Sequence, residues 1–570
     1  MPYRAAVNEY LFMIDNLLDA DALRQTTRFE EATADVTAAI LEEAGKLCDE
    51  VLAPLQRNGD LHPSKLENGV VRTSPGFVEG FKAIAEGGWI GMSADPEHGG
   101  MGLPMILSSA VNEMMSGGCI SLQLAPLMSQ GQIEALEHHG SDAIKQLYLP
   151  KLVSGEWTGT MNLTEPQAGS DVGALKSKAV DNGDGTYAVS GQKIFITWGD
   201  NDVSENICHL VLARIPGAPE GTKGISLFLV PKFIPNEDGT PGKRNGVSAV
   251  SLEHKLGLHG SPTAVMQYDE ATGWLVGEEQ GGMAAMFTMM NNARLGVGGQ
   301  GIGVAEAAYQ HALSYALERK QGRAGADGAG TIADHADVRR MLAEMKADIF
   351  AARSIALNCA YALDMTAATG DPAWRARAAL LTPIAKAFGS DTGCKVADLG
   401  VQVHGGMGVI EETAAAQFCR DVRVTTIYEG TNGIQAMDLV ARKMMDGGEA
   451  AGLLLDEMEE DIERARPDFP NMADACWQAC ESMREATEWL VAQDNMNNRF
   501  AGAVPYLQAF ARVLGAQLHL KAAMADKGGP REKLARFYIL RMLPDHVGLL
   551  THAQAGEADL FAVTTEALAS

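Results

Sequence analysis

Residues Tyr187 to Trp198 read YAVSGQKIFITW, and the reading of this stretch decides the fold. Successive side chains of an extended backbone point to opposite faces, so Phe195 and Thr197 share one face of a strand. Runs of the same texture follow: CHLVLARI from Cys208, GISLFLVPKFI from Gly224 and TAVMQY from Thr263. Each is short, rich in β-branched or aromatic residues and bounded by Asn-Gly, Asp-Gly or other glycine-rich turns, which is the pattern of a β domain. Its expected limits are residues 156–280.

The flanks have a different period. From about Thr33 to Leu149, apolar residues recur at helical spacing between Gly and Pro punctuation, as in SSAVNEMMSG, which predicts a helical domain over 35–155 behind an extension of residues 1–34. Helical texture returns over 281–445, with QGRAGADGAG, Gln321 to Gly330, as a flexible connection. After GGEAAG an acidic helical run to Arg466, then Pro467 and Pro470, then two further helical stretches to about Leu550 predict an added helical unit over 446–570. The fold class is therefore mainly α with an inserted β-barrel-like domain: helical domain, β domain, helical bundle, extra helical unit.

Gly296-Val297-Gly298-Gly299-Gln300-Gly301 matches the GxGxxG dinucleotide fingerprint, but the preceding MAAMFTMMNNAR is helical rather than a strand. The glycines are better read as letting two helices approach closely.

Across 570 residues, 46 Lys and Arg stand against 73 Asp and Glu, a formal charge of −27, which disfavours nucleic acid and anionic membranes as partners. Charges at Glu9, Asp15 and Asp19 interrupt any signal-peptide core, and no apolar run reaches bilayer length, so a cytoplasmic protein is expected. The eight cysteines are scattered, the closest pair being the CxxxC of Cys476 and Cys480, and read as buried free thiols rather than disulfides or metal ligands. REKLARFYILRML, Arg531 to Leu543, is basic with an apolar stripe at Leu534, Phe537 and Leu540; core packing is preferred to membrane attachment, because a lone basic segment anchors only marginally.

Three segments are small, polar and glycine-rich beyond what a core requires: MNLTEPQAGSD (Met161 to Asp171), QKIFITWGD (Gln192 to Asp200) and GVQVHGGMG (Gly400 to Gly408). Thr164 and Ser170 offer hydroxyls, and Ala168-Gly169 admits close backbone approach. His404 alone reads as a hydrogen-bonded structural residue. A fourth segment, TTIYEGTNGI from Thr425, sets Glu429 between an apolar-aromatic run and a helix start that Thr431 or Asn432 caps.

TEPQAGSD, QKIFIT, ERKQGR, VQVHGGMG and YEGTNGIQ, in this order over residues 35–445, resemble the acyl-CoA dehydrogenase family of flavoenzymes. MPYRAAVNEYLF, GWIGMSADPEHGGMGLP and the added C-terminal helices resemble more narrowly its long bacterial 3-(methylthio)propanoyl-CoA dehydrogenases, which act in dimethylsulfoniopropionate breakdown. The resemblance implies FAD, with Leu163, Thr164, Gly169, Ser170, Phe195, Thr197 and Thr431 lining the flavin. It further implies that Arg319 reaches the FAD pyrophosphate of a second subunit, with Gln402, Gly405 and Gly406 at the adenosine, in a homodimer or dimer of dimers. Ser170, Asn291 and Arg294 would contact the CoA moiety, and Gly430 the substrate. The chain departs from the family pattern at Ala336 and Gly433, where relatives carry polar residues, which weakens the adenosine contacts.

Oxidising an acyl thioester at Cα–Cβ requires a base for the α-proton and an acceptor for the β-hydride; the resemblance gives these roles to Glu429 and FAD, and the electrons then pass to an electron-transfer flavoprotein. It also implies an oxyanion hole from the Glu429 backbone N–H and a cofactor hydroxyl. Desolvation raises a buried carboxylate by as much as about 3–5 units, more than an exposed helix end lowers it, so the Glu429 pKa is expected to rise. The rivals are a fatty acyl-CoA dehydrogenase of β-oxidation, an oxygen-using acyl-CoA oxidase and a catalytically silent flavoprotein scaffold. Methionine-rich stretches at 101–115 and 283–290 suit an adaptable acyl wall or plain core.

Overall fold

The computed structural model describes residues 3–323 and 330–570. The centre of the expected connection at Gln321 to Gly330, residues 324–329, lies outside the described residues.

The β domain is a closed barrel. Thr263–Val276 pairs antiparallel with Tyr187–Thr197 and with Ile225–Pro231; Ile225–Pro231 pairs with Asn206–Arg214. That strand meets Lys178–Asp181, which returns to Tyr187–Thr197 and completes the ring. Trp157–Asn162 adds in parallel to Asn206–Arg214, and Val247–Leu252 to the outer side of Thr263–Val276. Asn182-Gly183-Asp184-Gly185 makes the tight turn before Tyr187, with φ of 79° at Gly183 and 87° at Gly185, values that favour glycine. Val189, Val211, Phe228, Val230, Met266 and Tyr268 fill the barrel.

Four long helices carry the rest of the core: Met105–His139, Gly282–Glu318, Ala336–Thr369 and Pro372–His404. The break between the last two follows from four residues: Gly370 ends one helix at φ 70°, and Asp371 caps the next by accepting from Ala373 N at 2.8 Å, with Pro372 at its first position. Helix 105–139 kinks at Cys119, directly after Gly117-Gly118. Its N-terminus is capped from another helix, Asp364 accepting from Met105 N at 2.6 Å and Ile106 N at 2.9 Å.

The GxGxxG stretch lies mid-helix and is a packing surface. A Cβ on Gly298 would sit 2.7 Å from the carbonyl oxygen of Ala385, and one on Gly301 2.4 Å from that of Gly389, so helices 282–318 and 372–404 meet backbone to backbone there. Residues 35–155 are helices joined by loops, with one hairpin of Lys65–Glu67 and Val70–Arg72.

The C-terminal region holds more helices than the acidic run and two further stretches expected, the longest being Pro470–Val491 and Ala503–Ala525, and stays largely helical to Ala569. Helix 503–525 packs on helices 336–369, 372–404 and Asn432–Val440. Arg531 to Leu543 packs into the core as expected, but a π-helical turn at Tyr538–Met542 rotates its buried face onto Tyr538, Ile539 and Met542 and leaves Leu540 exposed. The extension also docks: Tyr10 OH donates to Glu113, which Arg353 bridges to Glu306 at 2.6 and 2.9 Å, and Lys521 Nζ donates to the Leu17 carbonyl at 3.1 Å. All eight cysteines are free thiols. Among the described residues, no helix is long and apolar enough to cross a membrane.

Candidate active site

The loop after Trp157–Asn162 is held from behind by a buried ion pair. Glu165 meets the Lys193 ammonium at 2.8 Å, and its carboxylate also accepts from Lys176 N at 2.7 Å and Ser177 N at 3.1 Å. Burial opposes the ionised form, but Lys193 and these donors bring Glu165 down to about 2. Lys193 further donates to the Leu163 carbonyl at 3.0 Å, and Ile194 N to that of Thr164 at 2.9 Å, so loop and strand form one piece. With Glu165 and Ala168 buried beneath it, the loop presents Thr164, Gly169 and Ser170 outward. Nothing lies within 4 Å of a Cβ built on Gly169.

The strand does not alternate strictly. A bulge between the Ala264–Ile196 and Met266–Lys193 pairs puts one extra residue in the Tyr187 strand, and Phe195 takes φ 61°. A bulky side chain rarely adopts that conformation, and such bulges re-aim side chains beside functional sites. The outcome keeps Phe195 and Thr197 outward, with Phe195 59% exposed between buried Lys193 and Ile196. The next residue, Trp198, is fully buried, stacks on Phe77 and donates from Nε1 to the Ser121 carbonyl at 3.2 Å, so the strand end is rigid.

Glu429 stands on a strained turn. Its own φ is 57° and that of Gly430 is 84°. Thr431 caps helix 432–440, accepting from Ile434 N at 3.2 Å. Gln435 Nε2 returns to the Glu429 carbonyl at 3.1 Å. On the other side Tyr428 OH donates to Gln300, whose Nε2 donates to Gln123 at 2.8 Å. The Glu429 Oε2 atom is enclosed and has no hydrogen-bond partner among the described residues. Burial pushes the carboxyl up to about 7, against the pull of Arg294 and Lys386. The opposing influence on Glu429 thus comes from these two cations, beyond the helix end weighed from sequence.

Arg294 is buried on helix 282–318, 3.8 Å from Asp438 and 3.4 Å from exposed Asn291. Lys386, on helix 372–404, donates to the Gly430 carbonyl at 2.9 Å and to Asn432 Oδ1 at 2.8 Å. Neither Lys386 nor the Glu165–Lys193 pair was singled out from the sequence. The signal was a lone lysine in an apolar run, in IAKAFG and again at the inward-facing position of QKIFIT.

A third group lies at the far end of helix 282–318. Exposed Arg319 follows its last residue, and Tyr315 one turn earlier stacks on His404 with centroids 4.5 Å apart. His404 is buried, its Nδ1 2.7 Å from the Gly400 carbonyl oxygen. Gln402, Gly405 and Gly406 are exposed beside it, and nothing lies within 4 Å of a Cβ on either glycine. Among the described residues of one chain, no hydrogen bond joins Arg319, Gln402, Gly405 or Gly406 to Glu429 or to the 163–170 loop.

Four family models match in order along this architecture: acyl-CoA dehydrogenase N-terminal domain (35–156), middle domain (160–271) and C-terminal domain (280–445), and an acetyl-CoA dehydrogenase C-terminal-like domain (454–564). The chain belongs to the acyl-CoA dehydrogenase family. It is 45% identical over 552 residues, 94% of each chain, to 3-methylmercaptopropionyl-CoA dehydrogenase of Ruegeria pomeroyi. It is 33% identical to a butyryl-CoA dehydrogenase of Syntrophomonas wolfei, over 99% of this chain and 97% of that one. The acyl-CoA dehydrogenase of Bacillus anthracis, solved with FAD, shares the fold with a TM-score of 0.76 at 21% identity, over 96% and 93% of the two chains.

The chain is an FAD-dependent acyl-CoA dehydrogenase, as the motifs implied. Its surface fits the cofactor: an outward aromatic ring on a pinned strand, a loop with open backbone at Gly169, and an enclosed carboxylate oxygen left without a donor.

Proposed function

We propose that Glu429 is the base that removes the α-proton of a bound acyl-CoA. Its enclosed Oε2 atom, left without a donor on a half-buried side chain, carries this reading, and burial raises the carboxyl toward neutrality: a base with a pKa close to the working pH is ionised enough to act and basic enough to accept. FAD, when bound, supplies the acceptor for the hydride leaving Cβ. Leu163, Thr164, Gly169, Ser170, Phe195, Thr197 and Thr431 hold it, with Gln402, Gly405 and Gly406 at the adenosine. On the turn with left-handed backbone at Glu429 and Gly430, the Glu429 backbone N–H would donate to the thioester oxygen, and Ser170, Asn291 and Arg294 would bind the CoA portion. Arg319 acts across a homodimer, alone or as part of a dimer of dimers. A cytoplasmic setting agrees with eight unpaired thiols.

The substrate we assign is 3-(methylthio)propanoyl-CoA, oxidised to 3-(methylthio)acryloyl-CoA, with an electron-transfer flavoprotein as acceptor. The near full-length likeness to the Ruegeria enzyme supports it. Of the methionines in 101–115 and 283–290, Met114, Met115, Met286 and Met289 are buried in the core, Met105, Met283 and Met290 are partly buried, and Met101 is exposed. The test is kcat/KM for this thioester against butanoyl-, pentanoyl- and octanoyl-CoA. Pentanoyl-CoA has the same chain length with CH2 for sulfur and should be the nearest competitor; a clear preference for octanoyl-CoA overturns the assignment. Rapid oxygen consumption without an added acceptor would make the enzyme an oxidase instead.

A further inference from the structure

The added C-terminal unit reaches the Glu429 loop through a continuous line of side-chain hydrogen bonds. Gln508, on helix 503–525, donates from Nε2 to Asp391 Oδ2 at 2.5 Å. The second oxygen of that carboxylate accepts from Asn432 Nδ2 at 2.7 Å. Asn432 Oδ1 accepts from the Lys386 ammonium at 2.8 Å, and Lys386 also holds the Gly430 carbonyl at 2.9 Å, one residue past Glu429. Ser390 Oγ, 3.0 Å from Asn432 Nδ2, helps fix that amide.

We propose that Gln508 is a positioning residue for Glu429: by holding Asp391 it fixes Asn432, and through Asn432 the place of the Lys386 ammonium beside the base. The inference rests on the reading of Glu429 as the base. A carboxylate that loses one of its two donors in a partly buried site reorients to find another, and the amide and ammonium bonded to it move as well.

The charges around this line fix the direction of the effect. Glu429 faces Arg294 from helix 282–318 and Lys386 from helix 372–404, with the Tyr428 hydroxyl next to it in sequence. Lys386 faces Glu429, Asp391, Arg294 and the Cys394 thiol. Asp391 faces Asn432, Lys386, Gln508 and Arg423, with Cys394 close by. If Lys386 drifts, Arg294 alone is left to favour ionised Glu429, and the base stays protonated to a higher pH.

The experiment uses the full-length, FAD-loaded enzyme and measures the rate of anaerobic flavin bleaching by 3-(methylthio)propanoyl-CoA against pH, with Tm and FAD content. Gln508→Leu removes the donor, and Gln508→Glu sets a second carboxylate against Asp391. Gln517→Leu breaks a bond from the same helix to Asp461, inside the C-terminal unit, and is the control for general loosening. Gln508→Leu is expected to move the midpoint of the acidic limb up by about 0.5–1 unit and slow bleaching about 3–10-fold below it, with rates converging at high pH. Gln508→Glu moves the midpoint further, and Gln517→Leu lowers Tm without moving it. The shift is read without turnover from the pH at which the Tm of each enzyme departs from that of its Glu429→Gln counterpart. Unchanged midpoints in both Gln508 variants, with Glu429→Gln inert, overturn the positioning role and leave the base standing. Normal bleaching by Glu429→Gln overturns the base, and the inference with it.

Discussion

Lys193 and Glu165 meet at 2.8 Å with both side chains buried, and the same ammonium reaches the Leu163 carbonyl. This ion pair, with the Ile194 N to Thr164 carbonyl bond, ties the 163–170 loop to the strand. Lys193→Met leaves the Glu165 carboxylate buried without its cation, and removing one partner of a buried pair costs about 3–5 kcal/mol. The expected result is a large fall in Tm together with poor FAD retention, checked by thermal melting and by the flavin-to-protein absorbance ratio.

Glu429→Gln keeps the shape of the side chain and removes its basicity. A general base contributes about 10²–10⁴-fold, so flavin bleaching by a good thioester should slow by at least that while FAD stays bound. Stopped-flow spectra under anaerobic conditions measure it.

The raised Glu429 pKa has two pH signatures. In the proposed role Glu429 acts ionised in the free enzyme, so kcat/KM should climb as pH passes through about 7 and level off above it. For stability the sign runs the other way: between the unfolded carboxyl value and about 7 the folded state binds the extra proton, so the contribution of this group falls as pH rises through that window. Glu429→Gln should accordingly melt higher than the unaltered enzyme at pH 8 and lose that advantage near pH 4, in parallel thermal scans.

Two glycines in one motif should respond oppositely. A methyl on Gly301 would sit 2.4 Å from the Gly389 carbonyl oxygen, backbone that cannot give way cheaply, so Gly301→Ala should cost about 1–3 kcal/mol or more. At Gly299 the nearest atom is 3.8 Å away, and Gly299→Ala should be neutral or stabilise by about 0.5–1 kcal/mol from helix propensity. Denaturant melts of the two variants decide it.

The helix and strand textures around 187–198 carried the architecture because period and turn chemistry are local properties of the chain. The mid-helix glycines were readable for the same reason: no strand precedes them. What the sequence could not convey is set by contacts between distant segments. The bulge that turns Phe195 outward depends on the register against Ala264 and Met266, and the cations on Glu429 come from positions 294 and 386, on two different helices. Both are geometric accidents of packing as far as any short window of residues is concerned. The π-helical turn at Tyr538 is similar: one inserted residue redirects a face that simple spacing places at Leu540.

The bond from Lys521 to the Leu17 carbonyl spans 504 residues of sequence, and Arg531 lies against Phe12 and Glu9 in the same seam. At ribosomal speeds of about 5–20 residues per second, roughly 25–100 s separate the synthesis of those partners. The side of helix Val7–Leu17 that faces helix 503–525 must therefore stay uncovered until that late helix has emerged, so a translation product interrupted before it would leave apolar surface of the extension open to its neighbours.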